Sequence, residues 1–234
     1  MSYAPDVAFI FDSDALIQIF IAGQQELLRM LREDYGVSCY LMNEVEVELR
    51  KNPKFSSLIR PRLEKALKHK YISLLSSSEL ERLAPPDTEP VSLAEIRELG
   101  QEYAMEIGPG EAFTHAAAIL LDVPSVSNDM NAIKILETRG RRMPRTILRS
   151  FDLFAFFYIE KQLTTREVEH IRKDLLAQGE WVPPSIKNAS LEDGIGSIRC
   201  RLETSMAISA SSTHWSGTFF LKRRDTPSDD ISAT

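Results

Sequence analysis

The run Val7-Ala8-Phe9-Ile10-Phe11 constrains this chain more than any other segment, because it is apolar at every position and stops abruptly at Asp12-Ser13-Asp14. A strand with one wet face alternates polar and apolar residues. An unbroken apolar run between polar residues therefore predicts a strand in the middle of a sheet covered on both faces. In open parallel sheets, ligands gather beyond the carboxyl ends of the strands. Asp12 thus stands where a metal or phosphate site would be built.

Strand and helix patterns alternate from there to about residue 150. Helical spacing covers residues 15–21 and 24–31, with Gly23 as a break, and Gly36 leads into a second strand over 37–42. Asn43 suits an N-cap for a helix over 44–50. Further helical spacing over 55–68 precedes a short strand at 71–75, and residues 84–90 (APPDTEP) form a proline-rich loop. Ser92 with Glu95 makes a capping box for a helix ending near Gly108-Pro109-Gly110. Another helix is expected over 111–121, a strand over 123–126, a helix over 130–138 and a last strand over 146–148.

This alternation predicts an α/β fold of three layers, α/β/α, around a central parallel sheet. Residues 1–150 form that domain. Beyond it the pattern is helical alone. A capping box at Thr164 and Glu167 opens a helix reaching about Gln178, and a last helix spans 190–202, so residues 151–203 read as a helical extension. Ser and Thr dominate residues 204–234, which predicts a poorly ordered tail.

The chain has 234 residues, 43% of them hydrophobic and 26% charged, a balance that suits a globular protein in water. A net charge of −6 argues against a bulk electrostatic grip on nucleic acid, though not against a local basic groove. Two cysteines, Cys39 and Cys200, point to free thiols in a reducing cytoplasm. No signal-peptide pattern and no membrane-length apolar stretch is present, which predicts no membrane association.

Four acids stand out by position: Asp12 ends the first strand, Glu48 lies on the helix after the second, Glu111 opens a helix after Gly108-Pro109-Gly110, and Asp129 ends the fourth strand. Adjacent strand ends lie about 5 Å apart, so a parallel sheet can bring such acids together. Converging carboxylates repel unless a cation neutralises them, and hard oxygen ligands suit Mg2+ or Mn2+. A cation of that kind activates water and clamps a phosphoryl oxygen, which points to phosphodiester hydrolysis.

The ordered set Ile10-Phe11-Asp12-Ser13-Asp14-Ala15-Leu16-Ile17, Val47-Glu48-Leu49, Gly110-Glu111-Ala112 and Ser127-Asn128-Asp129 resembles the PIN-domain nucleases, which include the VapC-type toxins. The resemblance covers about residues 5–150. It implies a metal-dependent ribonuclease in which Asp12, Glu48, Glu111 and Asp129 bind the metal and carry the catalysis. Ser13 and Ser127 match positions where the family often has a small supporting hydroxyl. Asp14 departs from the more usual Ser, Thr or Asn, and is an extra ligand or an outer group. The toxin branch implies an antitoxin partner, but this chain is longer than a minimal toxin of that branch.

Each acid also has an ordinary reading. Asp129 suits a helix cap, and Glu111 in a first helical turn favours the helix dipole without any metal. Glu44 lies four residues before Glu48 on the same face and is the alternative to it. His115 follows Glu111 by one turn, and a lone histidine beside Ala116-Ala117-Ala118 is more often packed than functional. Arg139, Arg141, Arg142 and Arg145 form a basic set suited to RNA phosphates as point charges. Lys51, Lys54, Arg60 and Arg62 form a sparser one. The stripe Phe151, Phe154, Phe157 and Tyr158 reads as core or a homodimer interface.

Two other functions fit the same residues. In a phosphatase resembling the haloacid dehalogenases, Asp12 is the nucleophile and Asp14 the general acid, but Ala15-Leu16 replaces that family's expected continuation and Glu111 has no role. A non-catalytic PIN-like binding module predicts binding without metal-dependent turnover.

Overall fold

The computed structural model describes residues 7–84, 88–144, 146–188 and 190–199. The chain opens with β1 (Val7–Phe11), α1 (Ser13–Ile21), α2 (Glu26–Glu33) and β2 (Val37–Leu41). It continues through α3 (Asn43–Lys51), a π-helical turn (Phe55–Ile59), α4 (Arg60–Lys68), β3 (Ser73–Leu74) and α5 (Ser77–Leu83). Next come α6 (Leu93–Tyr103), α7 (Pro109–Leu121), β4 (Ser125–Val126), α8 (Met130–Thr138) and β5 (Ile147–Leu148). The last elements are α9 (Ser150–Ile159), α10 (Thr165–Ala177) and α11 (Pro184–Lys187), with residues 191–199 also helical.

The five strands form one parallel sheet in the order β3-β2-β1-β4-β5. Phe9, Ile10 and Phe11 are at most 2% exposed, so consecutive side chains pointing to opposite faces are both covered, as the apolar run predicts. The α/β class and the parallel sheet expected from the sequence are therefore present. The strand order reverses at β1: the chain steps outward through β2 and β3, then returns to β4 on the other side. Loops diverging at such a reversal leave a crevice at the carboxyl edge. Asp12 follows β1 there, and residues 127–129 follow β4.

Several elements differ from expectation for local reasons. Asn43 is the first residue of α3 and not its cap; Met42 holds the cap position without a side-chain hydrogen bond. The expected helix over 55–68 is split, because Pro61 in the first turn of α4 has no N–H to continue the preceding turn. Helix α6 ends at Tyr103, short of the glycines. Helix α5 was not expected: only Leu80 is buried in it, so it lacks the apolar stripe that betrays a helix. Strand β4 ends at Val126, so Asp129 does not end a strand; it caps α8.

The C-terminal helices share the core of the sheet domain. Phe151, Phe154, Phe156 and Phe157 on α9 are buried with Val168, Ile171 and Leu175 on α10 and with Ile195 and Ile198 beyond. Tyr35 packs edge-on against Phe156 with ring centroids 5.1 Å apart. The aromatic stripe is core, with Tyr158 partly buried at its edge. The expected tail at 204–234 and Cys200 lie outside the described residues, and no helix among those described is long and apolar enough to cross a membrane.

Candidate active site at the carboxyl edge of the sheet

Asp12 leaves β1 and caps α1. Its Oδ1 accepts from the backbone N–H of Ser13 at 2.7 Å, and its Oδ2 accepts from Ser127 Oγ at 3.2 Å. Ser127 Oγ also accepts from the Asp129 N–H at 3.2 Å, so one buried hydroxyl joins the loops after β1 and β4. Asp129 Oδ1 accepts from Asn131 N and Ala132 N at 2.7 and 3.1 Å and caps α8. The cap reading of Asp129 is thus correct, and it leaves the other carboxylate oxygen for other contacts.

Glu48 reaches the same region from α3. Ser13 Oγ donates to its Oε2 at 2.8 Å, and Gly110 N–H donates to its Oε1 at 2.8 Å. Of the pair Glu44 and Glu48, Glu48 is the one tied to the residues beside Asp12. Glu111 enters in the first turn of α7, after the Gly108 cap and Pro109. Asp14 is held separately: both of its oxygens accept from Asn128 N–H, at 3.1 and 2.9 Å.

Electrostatics link these acids. Burial, then the charges of Asp14 and Glu111, raise the Asp12 carboxyl well above its ordinary range. Burial also raises Asp14, although the Asn128 N–H opposes the rise. The two neighbouring carboxyls disfavour ionisation of both together, and both are raised. Burial raises Glu111 to about 7, against its own backbone hydrogen bond and with help from the charges of Glu48, Asp129 and Asp14. The four acids chosen from sequence, and Asp14, thus lie within electrostatic reach of one another.

Among the described residues, no three His, Cys, Asp or Glu side chains are arranged so as to hold an ion as they stand. Their oxygens are turned onto N–H and hydroxyl donors instead. The donor set itself is all hard carboxylate, and its mutual repulsion is what a divalent cation offsets. In chemical type the residues therefore fit Mg2+ or Mn2+.

Behind the acids runs a polar chain with no sequence signal except a polar residue in an apolar stretch. Ser150 donates its N–H to Asn128 Oδ1 at 3.1 Å and its Oγ to Gln18 Oε1. Gln18 Nε2 donates to the Trp181 carbonyl at 2.8 Å, so the loop of Asp129 is tied through α1 and α9 to the segment after α10. His115, buried on α7, has both ring nitrogens without hydrogen-bond partners. Burial lowers its pKa to about 4, opposed by the Asp129 charge.

The basic residues lie elsewhere. Helix α8 runs away from the carboxyl edge for about 14 Å, and Arg139 caps its far end. Arg141 pairs there with Glu106 at 2.7 Å and with Glu102, and Arg142 Nη2 donates to the Ile119 carbonyl at 3.3 Å. The structure does not bring these arginines to the acids, and Arg145 lies outside the described residues. In the sparser set, Lys54 pairs with Glu180 and Arg60 with Glu64.

Compared with known proteins, the chain matches no family model and no curated protein sequence significantly.

Proposed function

We propose that this is a PIN-type domain and a metal-dependent ribonuclease, cutting RNA phosphodiester bonds by water attack at the carboxylate cluster. The observation that carries the reading is the electrostatic convergence on Glu111: Glu48 from α3, Asp129 from the β4–α8 loop and Asp14 from α1 all raise its pKa, beside Asp12. Beyond the helix caps that Asp12 and Asp129 supply, gathering these acids from separate elements at a strand-order reversal opposes folding through their repulsion.

In this reading Asp12, Glu48, Glu111 and Asp129 would hold Mg2+ or Mn2+. When bound, such an ion supplies water activation and neutralises charge on the phosphoryl group. The chain supplies orientation: Ser127 fixes Asp12, Ser13 and Gly110 fix Glu48, and Asp14 fixes the backbone at Asn128.

The phosphatase reading fits less well. A nucleophilic Asp12 must be ionised, whereas its burial and the neighbouring carboxyls disfavour its charge. That reading also leaves Glu111 without a task.

The test is incubation of the purified protein with mixed RNA in Mn2+ and in chelator. Cleavage is expected in Mn2+ only and is lost in Asp12→Asn; cleavage persisting in that variant removes the assignment. A non-catalytic module would bind RNA and turn over none. A toxin role within this reading predicts that the chain expressed alone arrests growth, and that Asp12→Asn relieves the arrest.

A further inference from the structure

We propose that Trp181 and Arg149 form a stacking platform for single-stranded RNA beside the acid cluster; this rests on the nuclease reading and names the form of substrate it takes. Trp181 is 40% exposed, and it is the aromatic member of the exposed large apolar side chains among the described residues. The Arg149 guanidinium lies over its ring, 5.5 Å from the centroid. Arg149 directly follows β5, which places it on the carboxyl edge of the sheet, the edge that carries the acids.

The backbone that carries the ring is also tied to those acids. Its own carbonyl accepts from Gln18, Gln18 accepts from Ser150, Ser150 donates to Asn128, and Asn128 donates to Asp14. Val182 and Ile186, which follow Trp181 in the chain, are buried, and Pro183 and Pro184 stiffen the turn between them. A partly exposed tryptophan on so constrained a backbone, with a guanidinium over its ring, offers a flat surface at low entropic cost.

The chemistry selects the ligand. Unpaired bases stack on aromatic and guanidinium planes, whereas the bases of a duplex are stacked on one another and unavailable. An RNA strand approaching a carboxylate cluster on a chain of net charge −6 is repelled, and a cation on the same edge offsets part of that repulsion. The arginines after α8 cannot serve, being at the far end of that helix.

The experiment uses the full chain with Trp215→Phe, which leaves Trp181 as its one tryptophan. Oligouridylate is titrated in chelator, where no cleavage occurs, and Trp181 emission is followed. Saturable quenching is expected, with little quenching by duplex RNA. In the chain with its native tryptophans, Trp181→Leu should weaken oligouridylate binding, measured by anisotropy of a labelled strand, about tenfold. Trp181→Phe should restore most of it, and Arg149→Gln should flatten its salt dependence.

Unchanged Trp181 emission at oligonucleotide concentrations that are cleaved when Mn2+ is supplied overturns the platform and leaves the nuclease reading standing. Equal binding by wild type and a folded Trp181→Leu also overturns it. Quenching without any Mn2+-dependent cleavage keeps the platform and removes the nuclease.

Discussion

Gly110 donates its N–H to Glu48 Oε1 at 2.8 Å, and a Cβ on Gly110 would fall 2.1 Å from Glu48 Oε2. The contact that orients Glu48 thus depends on a missing side chain. Gly110→Ala adds a methyl in a helix, where alanine is favoured over glycine, and the atom in its way is the far end of a flexible side chain. Glu48 is therefore expected to move while the fold stays. Thermal unfolding should change little, while Mn2+-dependent cleavage falls about a hundredfold, as a displacement of about 1 Å can cause.

Stability should fall as pH rises through the range in which the acids hold extra protons. A carboxyl whose pKa is raised by folding binds more protons folded than unfolded between the two values, so its contribution is lost as pH climbs through the folded one. For Glu111 that interval runs from 4.5 to about 7, and Asp12 and Asp14 act in the same direction from 3.8 upward. In chelator the melting temperature is expected to be lower at about pH 8 than at about pH 6.5, with the difference shrinking in Glu111→Gln and when Mg2+ is added. An identical melting temperature at both values would remove the electrostatic account of the cluster.

His115 acts with the opposite sign. Its pKa is lowered from 6.5 to about 4, so it holds fewer protons folded than unfolded, and its effect is a loss of stability as pH falls through that interval. Its two buried nitrogens also lack partners. His115→Leu removes both costs and is expected to stabilise the protein by about 1 kcal/mol in urea unfolding at neutral pH, and by more near pH 5. Destabilisation at both pH values would mean that the imidazole has a partner.

The Gln18–Ser150 hydrogen bond should behave as one unit. Ser150→Ala leaves Gln18 Oε1 unpaired, and Gln18→Leu takes the donor from the Trp181 carbonyl while Ser150 Oγ keeps Asn128 Oδ1 at 3.3 Å; each is expected to cost about 1–3 kcal/mol. The double variant should cost less than the sum, because Gln18→Leu removes the Oε1 that Ser150→Ala leaves unpaired. Strict additivity would show that the two side chains do not share the bond.

The sequence made the central strand legible because burial on both faces leaves a period-free apolar run, as in Val7 to Phe11. It made Asp12, Glu48, Glu111 and Asp129 candidates because Asp12 and Asp129 stand just past strands, Glu48 lies on the helix after one, and Glu111 opens a helix after a Gly-Pro-Gly turn. What it concealed is contact at long range. Nothing in the spacing of Asp14 and Asn128 announces that one accepts from the other, and Gln18 shows only as a polar residue among Ala15 to Ile21. Two short strands also read longer from sequence than they are: β3 and β4 pair over two residues each, at the carboxyl ends of β2 and β1, and residues 71–72 and 123–124 precede that pairing.

The most direct test of the central claim compares wild type, Glu111→Gln and Asp14→Asn on two substrates, single-stranded RNA with Mn2+ and a small phosphomonoester. The account predicts that wild type cuts the RNA, that Glu111→Gln loses this activity, and that none of the three turns over the phosphomonoester appreciably. Turnover of the phosphomonoester that survives Glu111→Gln and disappears in Asp14→Asn would contradict it.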